Sequence, residues 1–281
     1  MLSALHTVTT YPPDLSDPIF AHYPAMKFGG REAVRHFAQA LAPAARRLIA
    51  QSDGRDWVLT SPILQGLPCG ANLVCAALHG ILAGTLPDGI ALKLETLDVR
   101  APVPIEDALG FERYNEYSKL DLETRRALHP DPAPDSGCEG ERFADRSVIF
   151  VNDINVTGTQ MRWVGKLPRL ARVKTLDWLL ILDVESEVGR RFPQLESEIN
   201  ASRLAGRDAL VAFLRTSDLD GTGKLVARLL SYDAAALGGI FRTLDVDRRR
   251  QLHRAILEEG IYGTDLFRDK LRAVEEAAST G

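Results

Sequence analysis

Four short apolar runs set the limits on what this chain can fold into: WVLTS (57–61), IALKLETLDV (90–99), SVIFVND (147–153) and VKTLDWLLILDV (173–184). Each is short and rich in Val, Ile, Leu, Phe or Trp, as buried strands are. Helix-patterned segments come after two of them: ANLVCAALHGILAG (71–84) after the first and TGTQMRWVGKLPRL (157–170) after the third. Strand, helix, strand in this order predicts βαβ units and a parallel sheet with helices on its faces, an α/β fold of Rossmann-like type.

The flanking segments extend this plan. REAVRHFAQALAPAARRLIAQ (31–51) carries Val34, Phe37, Leu41, Ala45 and Leu48 at helical spacing, with Pro43 as a point of kinking or division. Residues 1 to about 24, punctuated by Pro12, Pro13, Pro18 and Pro24, read as irregular. Residues 99–146 have little apolar periodicity beyond LDLETRRAL, and a segment this long without a core of its own reads as a functional or mobile loop. Past Glu185 every patterned segment is helical, so residues 1–185 are expected to form the α/β core and 186–281 a helical C-terminal subdomain.

Charge and cysteine usage narrow the function classes. Net charge is −4, with no basic excess to coat a nucleic acid. Cys69, Cys75 and Cys138 are too few for a disulfide framework, and none forms a C-x-x-C pair that suits zinc; a reducing cytoplasm is the expected compartment. The start lacks the pattern of a signal peptide, and LDWLLILDV is too short to cross a bilayer, so no membrane partner is expected.

The chemistry concentrates at the end of the third run. Asn152 and Asp153 sit where that strand stops, and open α/β sheets bind ligands at the carboxyl ends of their strands. Thr157-Gly158-Thr159 opens the next helix, where backbone N–H groups and hydroxyls suit a phosphate. A carboxylate one sugar ring from a phosphate site suits a sugar phosphate, whose hydroxyls the carboxylate holds. The same residues also make an ordinary capped strand-to-helix turn. Neither G-x-G-x-x-G after a strand nor G-x-x-x-x-G-K-[ST] is present, which argues against a dinucleotide fingerprint and a P-loop.

SVIFVNDINVTGTQ resembles the PRPP-binding motif of type I phosphoribosyltransferases: four apolar residues, two acids, then a T-T-G-T-T-like loop. The resemblance implies that fold for the core. It makes Asp153 the ribose carboxylate, Asn152 the residue in place of the first acid, and Val156, Thr157, Gly158, Thr159 and Gln160 the 5′-phosphate loop. SPILQGLP (61–68) falls where the family cradles pyrophosphate, which implies roles for Leu64, Gln65 and Gly66, with Lys93 and Arg113, Tyr117, Lys119 and Arg125 of the 99–146 hood as further candidates. MKFGG, YSKLDLETRRAL and PQLESEIN extend the likeness to the branch associated with bacterial tellurite-resistance (Ter-type) stress operons, sometimes called ComF-like.

The activity that this resemblance implies is that of a pentosyltransferase. It would move ribose 5-phosphate from PRPP to an unidentified nitrogenous acceptor, with Mg²⁺ accompanying PRPP, Asp153 touching the metal indirectly, and a homodimer as the assembly. The alternative is a non-catalytic PRPP- or nucleotide-sensing module on the same fold. His36, His79, His253, Trp57, Trp163, Trp178, Cys69 and Cys75 read as structural, and Glu196 and Asn200 as a solvated helix face.

Overall fold

The computed structural model describes residues 2–11, 19–63, 66–98, 123, 141–184, 186–260, 262 and 265–279. Five parallel strands form one sheet: β1 (Leu2–Tyr11), β2 (Asp56–Ile63), β3 (Ala91–Asp98), β4 (Ser147–Asn155) and β5 (Thr175–Val184), in the order β1-β5-β4-β2-β3. The central strands β4 and β5 are buried almost end to end, as their continuous apolar sequences require.

Three helices, α1 (Ile19–Lys27), α2 (Arg31–Ala50) and α3 (Gly70–Ala83), share one core with Trp57, Leu59, Ile149, Val151, Leu179 and Ile181. The opposite face carries Val58, Val148, Phe150 and Trp178, covered by the short helix α4 (Thr159–Val164), the single turn Pro168–Leu170 and Phe143. Phe150 and Trp178 pack with ring centroids 4.3 Å apart. The crossover β2-α3-β3 therefore covers one face, and β4-α4-β5 the other. Because parallel crossovers share one hand, the two must also run in opposite directions along the sheet. The reversal falls between β2 and β4.

The remaining helices are α5 (Ser186–Arg191), α6 (Leu195–Ala201), α7 (Arg207–Thr216), α8 (Gly223–Leu230), α9 (Ala234–Arg242), α10 (Val246–Glu259) and α11 (Arg268–Ser279). Leu195 and Ile199 of α6 belong to the α1–α3 core, whereas α7 to α11 build a second core around Leu225, Leu229, Ile240, Phe241, Leu252 and Phe267. Asp233 and Asp245 cap α9 and α10 by accepting from Ala236 and Arg248 N–H at 2.7 and 2.8 Å, which is why those helices start where they do.

Three expectations from the sequence need correction. Within residues 1 to about 24, the described residues 2–11 and 19–24 are not irregular: β1 forms the sheet edge beside β5, and α1 runs through Pro24. Pro43 does not divide α2, which continues from Arg31 to Ala50. The 157–170 helix is shorter than its pattern predicts, since α4 ends at Val164 ahead of Gly165. LDLETRRAL lies outside the described residues except for Glu123. No helix among the described residues is long and apolar enough to cross a membrane.

Candidate functional site

The β2–β4 register runs from Trp57 opposite Ser147 to Thr60 opposite Phe150. Beyond it β2 continues with Ser61, Pro62 and Ile63 beside β3, and β4 continues to Asn155 beside β5. Pro62 has no N–H to give a ladder, so it suits the stretch where the strands part. The carboxyl ends of β2 and β4 thus part at the reversal point of the sheet, the place where α/β sheets bind ligands.

Side chains alternate along β4, so Asn152 and Asp153 face opposite sides. Asn152 lies on the Phe150 side. Its Nδ2 donates to Gln160 Oε1 at 3.0 Å and to the Ile154 carbonyl at 3.2 Å, tying the strand end to α4. Asp153 points towards α1. Its Oδ1 accepts from Ile154 N–H at 2.8 Å, and its Oδ2 takes a short bond from Lys27 Nζ.

Lys27 is held in place by the turn that follows it. Met26 is buried in the α1–α3 core and Phe28 in the C-terminal helical core, so the two neighbours fix the chain on either side of Lys27. Gly29 (φ +84°) then passes so close to the C-terminal part that a Cβ there would lie 2.1 Å from the Asp220 carbonyl oxygen. Asp220 N–H donates to the Gly29 carbonyl at 2.9 Å, and Thr222 Oγ1 to the Lys27 carbonyl at 3.0 Å.

From the other side, Glu196 of α6 accepts from Lys27 Nζ at 3.1 Å. The Lys27, Asp153 and Glu196 side chains are only 12, 11 and 17 % exposed, which puts this cluster beyond surface ion pairs that solvent screens. Burial alone lowers the pKa of Lys27, but the charges of Asp153, Tyr23 and Glu196 outweigh it and hold the ammonium well above its ordinary range. A lysine raised in this way contributes stability fully below about pH 10.4, and loses it only as pH climbs through the raised folded value. The Tyr23 ring lies 5.6 Å from Lys27 Nζ, and burial, then the Asp153 charge, push its hydroxyl well above the usual range.

The phosphate-loop candidates are on the same strand end. Gly158 adopts φ +68° and precedes α4, whose first N–H groups have no acceptor within the helix. Asn155 Oδ1 accepts from Gly158 N–H at 2.9 Å, and Asn155 Nδ2 donates to Asp183 at 2.7 Å. The Thr157 and Thr159 hydroxyls lie 2.9 Å apart. Arg162 folds back over them, its Nη2 donating to the Thr157 carbonyl at 2.9 Å and to Thr159 Oγ1 at 3.4 Å. The loop thus combines hydroxyls, helix N–H groups and a guanidinium, a set that binds anions. Val156 is buried beneath it.

Leu64 and Gln65 lie outside the described residues, as do Arg113, Tyr117, Lys119 and Arg125. Gly66 is exposed and packs against α10, where an added Cβ would stand 2.7 Å from the Glu258 carbonyl oxygen. Leu67 N–H next to it donates to Glu259 at 2.7 Å. Lys93 is not brought to the site. It is exposed on the edge strand in register with Val58, itself opposite Val148, which is about 16 Å before Asp153 along the strands at ~3.3 Å per residue.

Magnesium, as a directly protein-held ion, does not fit Asp153, because the Lys27 ammonium occupies one carboxylate oxygen and repels a cation. Among the described residues no group of three or more His, Cys, Asp or Glu side chains is placed to hold a metal.

Lys27, Tyr23, Glu196 and Arg162 are not among the candidate residues that the motif supplies. Arg162 is findable from sequence, since it comes four residues after Gly158, one helical turn. MKFGG and PQLESEIN carry part of the resemblance, but nothing local in either says that both converge on Asp153.

Cys69 caps the start of α3, and Cys75 is buried within that helix. Burial and the Asp153 charge push the Cys69 thiol up to about 11, and burial pushes Cys75 up to about 12. At pH 8 the Cys69 thiol is held almost wholly protonated. Alkylation read by peptide-resolved mass spectrometry should therefore show both thiols reacting about a hundredfold or more slower in the native protein than in the unfolded chain; equal rates would rule out this placement. No protein-family model and no curated protein matches this chain.

Proposed function

We propose that the reversal point of the sheet, where β2 and β4 part, binds PRPP, and that the protein transfers its ribose 5-phosphate unit to a nitrogenous acceptor with release of pyrophosphate. The observation that carries this reading is the placement of Asp153 and the Thr157–Thr159 loop together at the reversal point of the sheet. The 5-phosphate is received by the Thr157 and Thr159 hydroxyls, the first N–H groups of α4 and the Arg162 guanidinium. Asp153 accepts the ribose hydroxyls and lies beside the positive charge that develops at C1 as its bond to pyrophosphate breaks and the bond to nitrogen forms. Pyrophosphate leaves on the β2 side. Mg²⁺ accompanying PRPP would supply charge neutralisation for the departing pyrophosphate.

The type I phosphoribosyltransferase kinship, and a place in a stress-related nucleoside pathway, belong to this proposal through the motif resemblance alone. A sensing role has one observation in its favour: Asp153 is engaged by Lys27, and Asn152 brings no second charge on the strand. Pyrophosphate release separates the two readings. The full chain with PRPP, Mg²⁺ and a panel of nucleobases should release pyrophosphate with at least one of them. Calorimetric PRPP binding without release would assign the sensor, and absence of both would remove the proposal.

A further inference from the structure

Asp153 has a difficulty as a sugar carboxylate: an ammonium already holds it. The surroundings of that ammonium point to how the carboxylate is shared. Lys27 Nζ donates to Asp153 and, at 3.1 Å, to Glu196, so two carboxylates meet on one cation in a site that is nearly closed to solvent. Two carboxylates therefore share the donors of one ammonium, and a hydroxyl donor arriving there is favoured over another acceptor. One turn along α6 from Glu196, on the same helical face, is Asn200. It is 8 % exposed, and its Nδ2 and Oδ1 have no hydrogen-bond partner among the described residues. A buried amide with neither atom paired is uncommon in a protein without a role for it.

We propose, resting on the phosphoribosyl reading above, that Glu196 is the positioning carboxylate of the sugar site. It keeps hold of Lys27 when Asp153 turns its oxygen to the vicinal hydroxyls of a furanose phosphate, and Asn200 gives that ligand a further polar contact from α6. Glu196 thereby stands in for the acid that Asn152 does not supply, acting through Lys27 instead of on the ring. With a neutral side chain at 196, Asp153 is the one anionic partner left to Lys27 among the described residues, and the ammonium stays on it, so the hydroxyls must compete with an undivided ion pair.

Ribose 5-phosphate and inorganic phosphate, titrated calorimetrically into the full chain, test this, because phosphate reports the Thr157–Thr159 loop alone. Glu196→Gln should weaken ribose 5-phosphate binding about tenfold and leave phosphate binding unchanged, while Glu196→Asp, which keeps the charge, should recover part of the loss. Unchanged ribose 5-phosphate affinity in Glu196→Gln, or an equal loss for both ligands, overturns the role of Glu196 while Asp153 and the loop stand. Ribose 5-phosphate binding to the unsubstituted protein no tighter than phosphate overturns the sugar site itself, and this inference with it.

Discussion

Lys27→Met is expected to destabilise the protein by about 3–5 kcal/mol at neutral pH, measured by urea unfolding. The substitution keeps an unbranched side chain one atom shorter and removes the ammonium that Asp153 and Glu196 share. Two carboxylates are then left close together with little solvent to screen them, and one is driven to hold a proton. In linkage terms, that group's folded pKa is raised in the variant, so the penalty is largest above it and shrinks as pH falls. The gap between the variant and the parent should therefore narrow on acidification from pH 7. A gap that stays constant with pH would mean the loss comes from packing, not charge.

Asp153→Ala should behave oppositely. Lys27 keeps Glu196 as a partner, and the main loss is one carboxylate and its bond to Ile154 N–H, so the fold survives at a cost of about 1–3 kcal/mol. PRPP-dependent pyrophosphate release, however, should fall by roughly three orders of magnitude or more, because the group nearest the developing charge is gone. Turnover close to that of the parent would sink the assignment of Asp153. Together the two variants are expected to separate what holds the site from the proposed chemistry, with Lys27 governing stability and Asp153 the pyrophosphate release.

The parallel sheet is legible in the sequence because β2, β4 and β5 are buried on both faces and read as unbroken apolar runs. The edge strand β1 is not. LSALHTVTTY mixes Thr and His with its apolar residues, Val8 is exposed, and a proline cluster comes next, so its strand state depends on β5 and not on its own pattern. The site divides in the same way. Asp153, Gly158 and their neighbours lie within one strand-loop-helix unit, where spacing carries information. The Lys27–Asp153 contact joins residues 126 positions apart, and Lys27–Glu196 spans 169. No local periodicity encodes such a meeting. Glu196 at its i,i+4 spacing from Asn200 looks like any solvated helix face until α1 is seen to cover it.

The position of β1 also bears on how the chain reaches this state. Leu2 pairs with Leu176 and Tyr11 with Val184, so the first strand finds its place only after roughly 170 residues of intervening chain have been made and gathered. Until then the edge of β5, TLDWLLILDV, is an apolar strand with one side open. During synthesis that edge is open to mispairing with another nascent chain. Docking of β1 is thus the step that closes the sheet, and a slow final phase in refolding, lost when residues 2–11 are removed, is its expected kinetic mark.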